Sequence, residues 1–313
     1  MSASDQITDC PLCGGTENDV SEQLSGAQLR QLWKQLGHEF TRDAWGRIHE
    51  RYLVKLHRCQ QCGFAFFDPN LGGNEAFYRQ VEHAEYYTPD RPEFTRTLKF
   101  AGRRGLRRIL DVGCGSGAFL GLAKRAGHEV CGIELNGHAA AKARANGHTV
   151  FELLLQDLDP AQTGGAFDLI TLFQVLEHLP NPVRVVREAL ARLKSGGFIS
   201  IAVPSDEGIC RWTSLDPHQW PPHHVSRWRR KDFIQLARVT ELRLVKCGGD
   251  ILLGSGIEQS WKVHNALVPV VERRSYPGGE ALLRMISFAY RKTGMKFLFP
   301  RWGSSLYGYF QKK

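Results

Sequence analysis

The chain has 313 residues, 42% apolar and 23% charged, a length and balance that fit one sizeable core with an accessory module and exclude a disordered chain. Its net charge of +9 points to an anionic partner such as RNA, a nucleotide-sugar or a membrane surface, or simply to a solvated basic face. No basic, apolar leader opens it and no apolar run approaches the ~20 residues that span a bilayer, so a cytoplasmic protein is expected.

In that compartment eight cysteines argue for metal before disulfide. Four form two pairs, Cys10-Pro11-Leu12-Cys13-Gly14 and Cys59-Gln60-Gln61-Cys62-Gly63. The two-residue spacing lets both sulfurs of a pair reach one ion, and the following glycine permits the tight turn that aims backbone amides at the thiolates. Four thiolates close a tetrahedral zinc site with no open position, so the expected zinc is structural; unmetallated buried thiols are the other reading. Cys114, Cys131, Cys210 and Cys247 have no such partners and read as small buried residues.

The interval between the pairs is longer than in a compact ribbon. Leu29, Leu32, Trp33 and Leu36 recur there at helical spacing, with Ser25 as a cap and Gly37 as a stop. Their stripe packs on the ribbon or the main domain, or else receives a partner. Phe64 to Pro69 reads as a strand leaving the module and Asn74 to Val81 as a short helix, followed by a tyrosine-rich segment from Tyr86 to Phe94.

From Arg107 onward strand and helix alternate, the pattern of a parallel α/β sheet. The spacing predicts strands over Arg108 to Val112, Glu129 to Glu134, Thr149 to Phe151, Asp168 to Phe173 and Phe198 to Val203, with helices near Ala118, Ala139 and Val183. The first strand runs into Asp111-Val112-Gly113-Cys114-Gly115-Ser116-Gly117, an acid and a glycine-rich turn that lets a nucleotide-type cofactor lie against bare backbone. Ligands of open α/β sheets sit at the carboxyl ends of strands, which gathers Asp111, Glu134 and Phe173 at one edge. Beyond Pro204 the chain turns irregular and aromatic, and the consecutive prolines of Trp220-Pro221-Pro222-His223-His224 exclude helix there. A helix from Lys231 to Arg238, a strand from Leu242 to Lys246 and a last strand from Ser305 to Gln311 are predicted.

The glycine turn, the block Phe167-Asp168-Leu169-Ile170-Thr171-Leu172-Phe173-Gln174-Val175-Leu176-Glu177-His178 and the block Leu193-Lys194-Ser195-Gly196-Gly197-Phe198-Ile199-Ser200-Ile201-Ala202-Val203-Pro204 occur in that order. Together they resemble the class I S-adenosylmethionine-dependent methyltransferases, in particular bacterial sugar and small-molecule enzymes with an amino-terminal zinc-ribbon-like module. A dinucleotide dehydrogenase is the competing reading of the turn, but its GxGxxG fingerprint is GxGxG here. The resemblance implies an α/β fold, a Rossmann-like seven-stranded domain, over 106–313 with a substrate loop at 206–230. It places a four-cysteine zinc module with an inserted helix at 1–72 and a helical linker or lid at 73–105. It further implies that Asp111 organises the site around the methionine ammonium, that Glu134 holds the ribose hydroxyls, and that Gly113, Gly115, Gly117, Leu135, Leu154, Phe173 and Gln174 complete the cofactor site. Leu154 and Leu155 read as adenine walls or as ordinary core.

Methyl transfer from a sulfonium is an in-line displacement, so catalysis is positioning plus control of the acceptor's proton. An amine acceptor needs no strong base, whereas a hydroxyl does. His178 is the first candidate, because it follows the fourth strand directly and Leu-Glu-His resembles the quinone O-methyltransferases. Glu177 is expected to assist or orient it, and His223 and His224 of the Pro-Pro-His-His loop come second. For each histidine a purely structural hydrogen-bonding role is the other reading. Three functions follow: O-methylation of a small molecule or glycan acceptor, an RNA base methyltransferase suited by the positive charge, and a non-catalytic S-adenosylmethionine-binding protein. A stripe of Leu282, Leu283, Ile286, Ala289 and Tyr290 flanked by Arg284, Arg291 and Lys292 reads as a membrane contact or as a helix packed on the domain. The sequence carries no signal for an oligomeric state.

Overall fold

The structure, a computed structural model, describes residues 9–81, 91–207, 216–252, 299–300 and 305–313. The tyrosines of the expected lid, Cys210, Trp212 and the stripe from Leu282 to Lys292 lie outside the described residues.

Near the amino terminus, β1 (Asn18–Ser25) pairs antiparallel with β2 (Leu53–Cys59), and α1 (Gly26–Gln35) fills the interval between them. The Ser25 hydroxyl accepts from the Gln28 amide at 3.2 Å and the Gln28 side chain accepts from the Ser25 amide at 2.8 Å, a reciprocal cap that fixes where the helix starts. Its apolar stripe turns inward: Leu29, Leu32 and Trp33 are fully buried in one cluster with Val54, Leu56 and Phe67. The stripe therefore belongs to the module's own core. The short β3 (Ala65–Phe66) continues the sheet, and α2 (Glu75–Val81) adds Phe77 and Val81 to the cluster.

This sheet is not built from the amino-terminal sequence alone. Its fourth strand, β9 (Ser226–Arg227), comes from within 206–230 and pairs with β3, so the order is β1-β2-β3-β9. Trp220 of the same segment is buried in the module's core. The segment expected as a substrate loop is thus woven into the amino-terminal module, and residue 72 does not mark the edge of that sheet.

After α3 (Pro92–Arg103), the chain lays down β4 (Arg108–Val112), α4 (Ala118–Arg125), β5 (Glu129–Ile133), α5 (Gly137–Ala145) and β6 (Val150–Phe151). It then returns through β7 (Phe167–Phe173), α6 (Pro182–Arg192), β8 (Leu193–Pro204), α7 (Arg230–Val239) and β10 (Arg243–Gly249). A small antiparallel pair, β11 (Ile251–Leu252) and β12 (Phe299–Pro300), precedes the last strand, β13 (Ser305–Gln311). The seven-stranded sheet runs β10-β13-β8-β7-β4-β5-β6, with β8 through β6 parallel and β13 antiparallel between β8 and β10. Strand order reverses between β4 and β7, and the crevice at such a switch point is where ligands bind in open sheets. Among the described residues no helix is long and apolar enough to cross a membrane.

Candidate active site

Two glycines explain how the chain leaves β4. Gly113 has φ of 73°, and a Cβ there would stand 2.7 Å from Val175 Cγ2, so the turn and the segment after β7 approach as closely as bare backbone allows. Gly117, at φ of 85°, forms the N-cap of α4 in the left-handed region. Gly115 between them donates its amide to Glu134 Oε2 at 2.8 Å, and Glu134 Oε1 accepts from the Asn136 amide at 2.8 Å. The acid after β5 thereby fixes the glycine turn after β4.

Asp111 is buried at 3% exposure and accepts the Thr171 hydroxyl at 2.6 Å. Burial pushes its carboxyl up to about 7; the Thr171 hydrogen bond opposes that rise, and the charge of Glu134 adds to it. Phe173, at the end of β7, packs in a triangle with Phe94 of α3 and Phe119 of α4, ring centroids 5.0 to 5.4 Å apart. Gln174 follows with φ of 56°, a left-handed conformation uncommon outside glycine. Its amide donates to the Ala202 carbonyl at 2.7 Å, and its side-chain nitrogen reaches Glu93 Oε1 at 3.3 Å and Ser305 Oγ at 3.4 Å. The strained backbone thus ties β7 to β8, α3 and β13 at the sheet edge.

Leu135 and Leu154 stand just beyond the paired ends of β5 and β6 and are 62% and 49% exposed, unusual for leucines. Leu155, offered beside Leu154 as an adenine wall, is 4% exposed and belongs to the main core. The short 3-10 helix starting at Leu155 turns it inward and leaves Leu154 outside.

A cleft of about 250 Å³ joins these groups to a second set, its walls including Arg91, Asp111, Gly113, Glu177, His178 and His224. Glu177 and His178 sit in a single 3-10 turn, Leu176–His178, directly after β7. His178 Nδ1 lies 2.7 Å from the His223 carbonyl and 3.2 Å from the Tyr78 hydroxyl of α2. A carbonyl only accepts, so Nδ1 carries the proton, and the neutral ring keeps its lone pair on Nε2. Burial pushes His178 down to about 4, partly offset by that carbonyl, and so the ring is neutral at physiological pH. His223 and His224 are 5% exposed, and burial lowers both well below the usual histidine range. Glu177, 1% exposed, lies 3.8 Å from His178 Nε2, and burial raises its carboxyl to about 8.

The Pro-Pro-His-His segment is pinned by backbone bonds. Val225 donates to the Glu177 carbonyl at 2.8 Å, and the Val225 carbonyl accepts from Phe67 at 2.9 Å. One residue therefore connects the Leu176–His178 turn to the amino-terminal sheet.

In that module the four cysteines converge as the spacing predicts. Cys10 and Cys62 sulfurs are 3.7 Å apart, those of Cys13 and Cys59 are 3.6 Å apart, and all four fall within 4.8 Å of one another. Zinc–thiolate bonds of ~2.3 Å give a tetrahedron with sulfur–sulfur edges of roughly 3.8 Å, so the donor set fits one such ion. Gly14 and Gly63, at φ of 77° and 73°, close the two knuckles by donating to the Cys10 and Cys59 carbonyls. Of the remaining described cysteines, Cys114 is buried, while Cys131 and Cys247 are half-buried.

Of the residues singled out from sequence, Asp111, Gly113, Gly115, Phe173, Gln174, Glu177, His178, His223 and His224 line one cleft, Glu134 bonds its glycine turn, Leu135 and Leu154 are not among its walls, and the four cysteines lie in the amino-terminal module; Thr171, bonded to Asp111, and Tyr78, bonded to His178, join them. Thr171 had a readable signal, a hydroxyl on an otherwise apolar strand. Arg91, Glu93 and Phe94 lie in the tyrosine-rich segment expected as a lid, whereas Tyr78 had no signal, because a helix of the amino-terminal region delivers it.

A family model described as a methyltransferase domain matches residues 81–246. The chain belongs to that family. It is 30% identical over 174 residues to the ubiquinone biosynthesis O-methyltransferase of Xanthomonas euvesicatoria pv. vesicatoria (strain 85-10), covering 49% of this chain and 71% of the relative. Against the protein of the same name from Xanthomonas oryzae pv. oryzae (strain PXO99A), identity is 31% over 155 residues, 42% of this chain and 64% of the relative. The chain thus spans less than two thirds of that relative's length. Among solved structures, a SAM-dependent methyltransferase from Archaeoglobus fulgidus aligns with a TM-score of 0.43 at 20% identity, over 70% of this chain and 94% of that one.

Proposed function

We propose that this methyltransferase moves the methyl group of S-adenosylmethionine to a hydroxyl oxygen of a small molecule or sugar unit, with His178 as the general base. The observation that carries this reading is the hydrogen bond from His178 Nδ1 to the His223 carbonyl at 2.7 Å, which sets the ring with its basic nitrogen on the opposite side, next to Glu177. A neutral imidazole with a fixed tautomer is what a hydroxyl acceptor needs as its proton leaves. An amine would not require it. The ubiquinone-pathway relatives are named as O-methyltransferases, which agrees with oxygen as the acceptor atom.

On this reading Asp111 would hold the cofactor's ammonium and Glu134 its ribose hydroxyls. The exposed Leu135 and Leu154 would flank its adenine. Arg91, at the cleft wall, offers a cation for the methionine carboxylate. The base accepts the acceptor's proton at Nε2 while the acceptor oxygen displaces the sulfonium sulfur from the methyl carbon. Phe173 and Phe94 exclude water beside the reacting atoms. Zinc held by Cys10, Cys13, Cys59 and Cys62 staples the amino-terminal module and takes no part in the chemistry, since four thiolates fill its coordination.

The deciding experiment is methyl transfer from labelled S-adenosylmethionine onto fractionated cell extract, with mass spectrometry of the product. A methyl ether made by the wild type and lost in His178→Ala supports the reading. A methylated amine or a methylated RNA base overturns it.

A further inference from the structure

Beyond its use of one histidine as a base, the cleft holds a second donor set. His178, His223 and His224 each offer a ring nitrogen within 4.8 Å of the other two, and their ring centroids are 4.4 to 4.8 Å apart. We propose that these three histidines bind a divalent transition-metal ion of the zinc or cobalt type, in a site separate from the four-cysteine cluster.

Three observations support it. The outer bonds are those of metal-ligating imidazoles, which usually donate their second ring N–H to a carbonyl and so direct the lone pair at the ion. His178 Nδ1 is bonded to the His223 carbonyl, and His223 Nδ1 to the His218 carbonyl at 3.0 Å. His218 is in turn fixed by Asp216 Oδ1 at 2.7 Å. Next, the pocket contains polar atoms that the protein leaves unsatisfied: His224 Nδ1 and both carboxylate oxygens of Glu177 are buried with no hydrogen-bond partner. Such groups are costly unless something else meets them. Finally, the donor chemistry selects the ion, because imidazole nitrogens favour zinc, cobalt, nickel or copper, whereas magnesium and calcium prefer oxygen.

The proposal is independent of the reading of His178 as base and constrains it. An ion on Nε2 takes the lone pair that would accept the acceptor's proton, so occupancy and turnover oppose each other. Three ligands leave a fourth position facing the cleft, where water or a ligand oxygen completes the coordination.

The test is a titration of the full, zinc-replete chain with Co²⁺ and with Zn²⁺, followed by equilibrium dialysis, elemental analysis and visible spectroscopy. Wild-type protein is expected to hold a second equivalent whose cobalt spectrum lacks thiolate charge-transfer bands. His224→Asn and His178→Ala should each weaken that equivalent at least about tenfold while retaining the first, which reports that the module is still folded. Cys59→Ser should do the converse. A single equivalent in the wild type, or a second one unchanged in both histidine variants, overturns the proposal. Turnover separates the two claims: a fall of about tenfold or more as the second site fills agrees with His178 as base. A rise upholds the metal site and overturns the base.

Discussion

The carbonyl of His223 accepts the Nδ1 proton of His178 at 2.7 Å, so a loop residue decides which nitrogen of the first catalytic candidate is basic. That loop is itself held by the amino-terminal sheet through Val225 and Phe67.

His178→Ala is expected to lower turnover by about a hundred- to ten-thousand-fold, the usual range for a general base, and to leave S-adenosylmethionine affinity within about a factor of three. Calorimetry and a methyl-transfer assay on the same preparation separate the two quantities. Near-normal turnover in this variant together with a dead His224→Ala would move the base to the loop.

Asp111 is expected to make cofactor affinity depend on pH. Its carboxyl is raised to about 7 in the folded protein, and the methionine ammonium favours the ionised form. Cofactor binding below that pH therefore releases a proton, and affinity rises with pH until about 7 and then levels. The same shift has a stability consequence of definite sign. A carboxyl raised above its unfolded value holds its proton more tightly when folded, so the cofactor-free protein loses stability as pH rises from the unfolded value through about 7. Asp111→Asn should flatten both dependences, measured by calorimetry in buffers of different ionisation enthalpy and by thermal melts across that range.

Glu134 anchors the glycine turn as well as facing the expected ribose position. Charged hydrogen bonds are worth about 1.5 to 3 kcal/mol each, so Glu134→Ala is expected to weaken S-adenosylmethionine binding roughly tenfold or more. It should also speed hydrogen exchange at the Gly115 amide, which loses its acceptor. Unchanged affinity would contradict the assignment.

Cys59→Ser should reduce bound zinc below about half an equivalent and destabilise the chain by at least about 3 kcal/mol, a fraction of the roughly 10–16 kcal/mol that such sites gain from zinc. Elemental analysis and denaturant melts report the two effects. Because β9 pairs with β3, turnover should fall in this variant even though no cysteine of the cluster borders the cleft.

Local chemistry determined what could be read from the sequence. The spans predicted for β4 and β13 coincide with those observed, since each is an apolar or aromatic run set off by charged or glycine residues. The helix Gly26–Gln35 carried its own start signal in Ser25. By contrast β1 reads Asn-Asp-Val-Ser-Glu-Gln-Leu-Ser, too polar to announce a strand; pairing with β2 and the adjacent cysteine knuckle hold it extended. The difference between Leu154 and Leu155 rests on one residue of rotation at a 3-10 turn, below what apolar spacing resolves. Candidate site residues on strand ends were legible, because sheet topology collects them. Tyr78 was not, because only tertiary packing brings its helix to the cleft.

The exchange of a strand between the two halves limits how this protein can be recombined. A chimera that replaces only residues 1–72 would confront β9 and Trp220 with a foreign sheet edge and core. The inheritable unit is discontinuous: the amino-terminal module together with the stretch from Trp220 to Arg227 that completes it. Acceptor preference, if it resides near His223 and His224, should therefore transfer between related enzymes only when both pieces travel together.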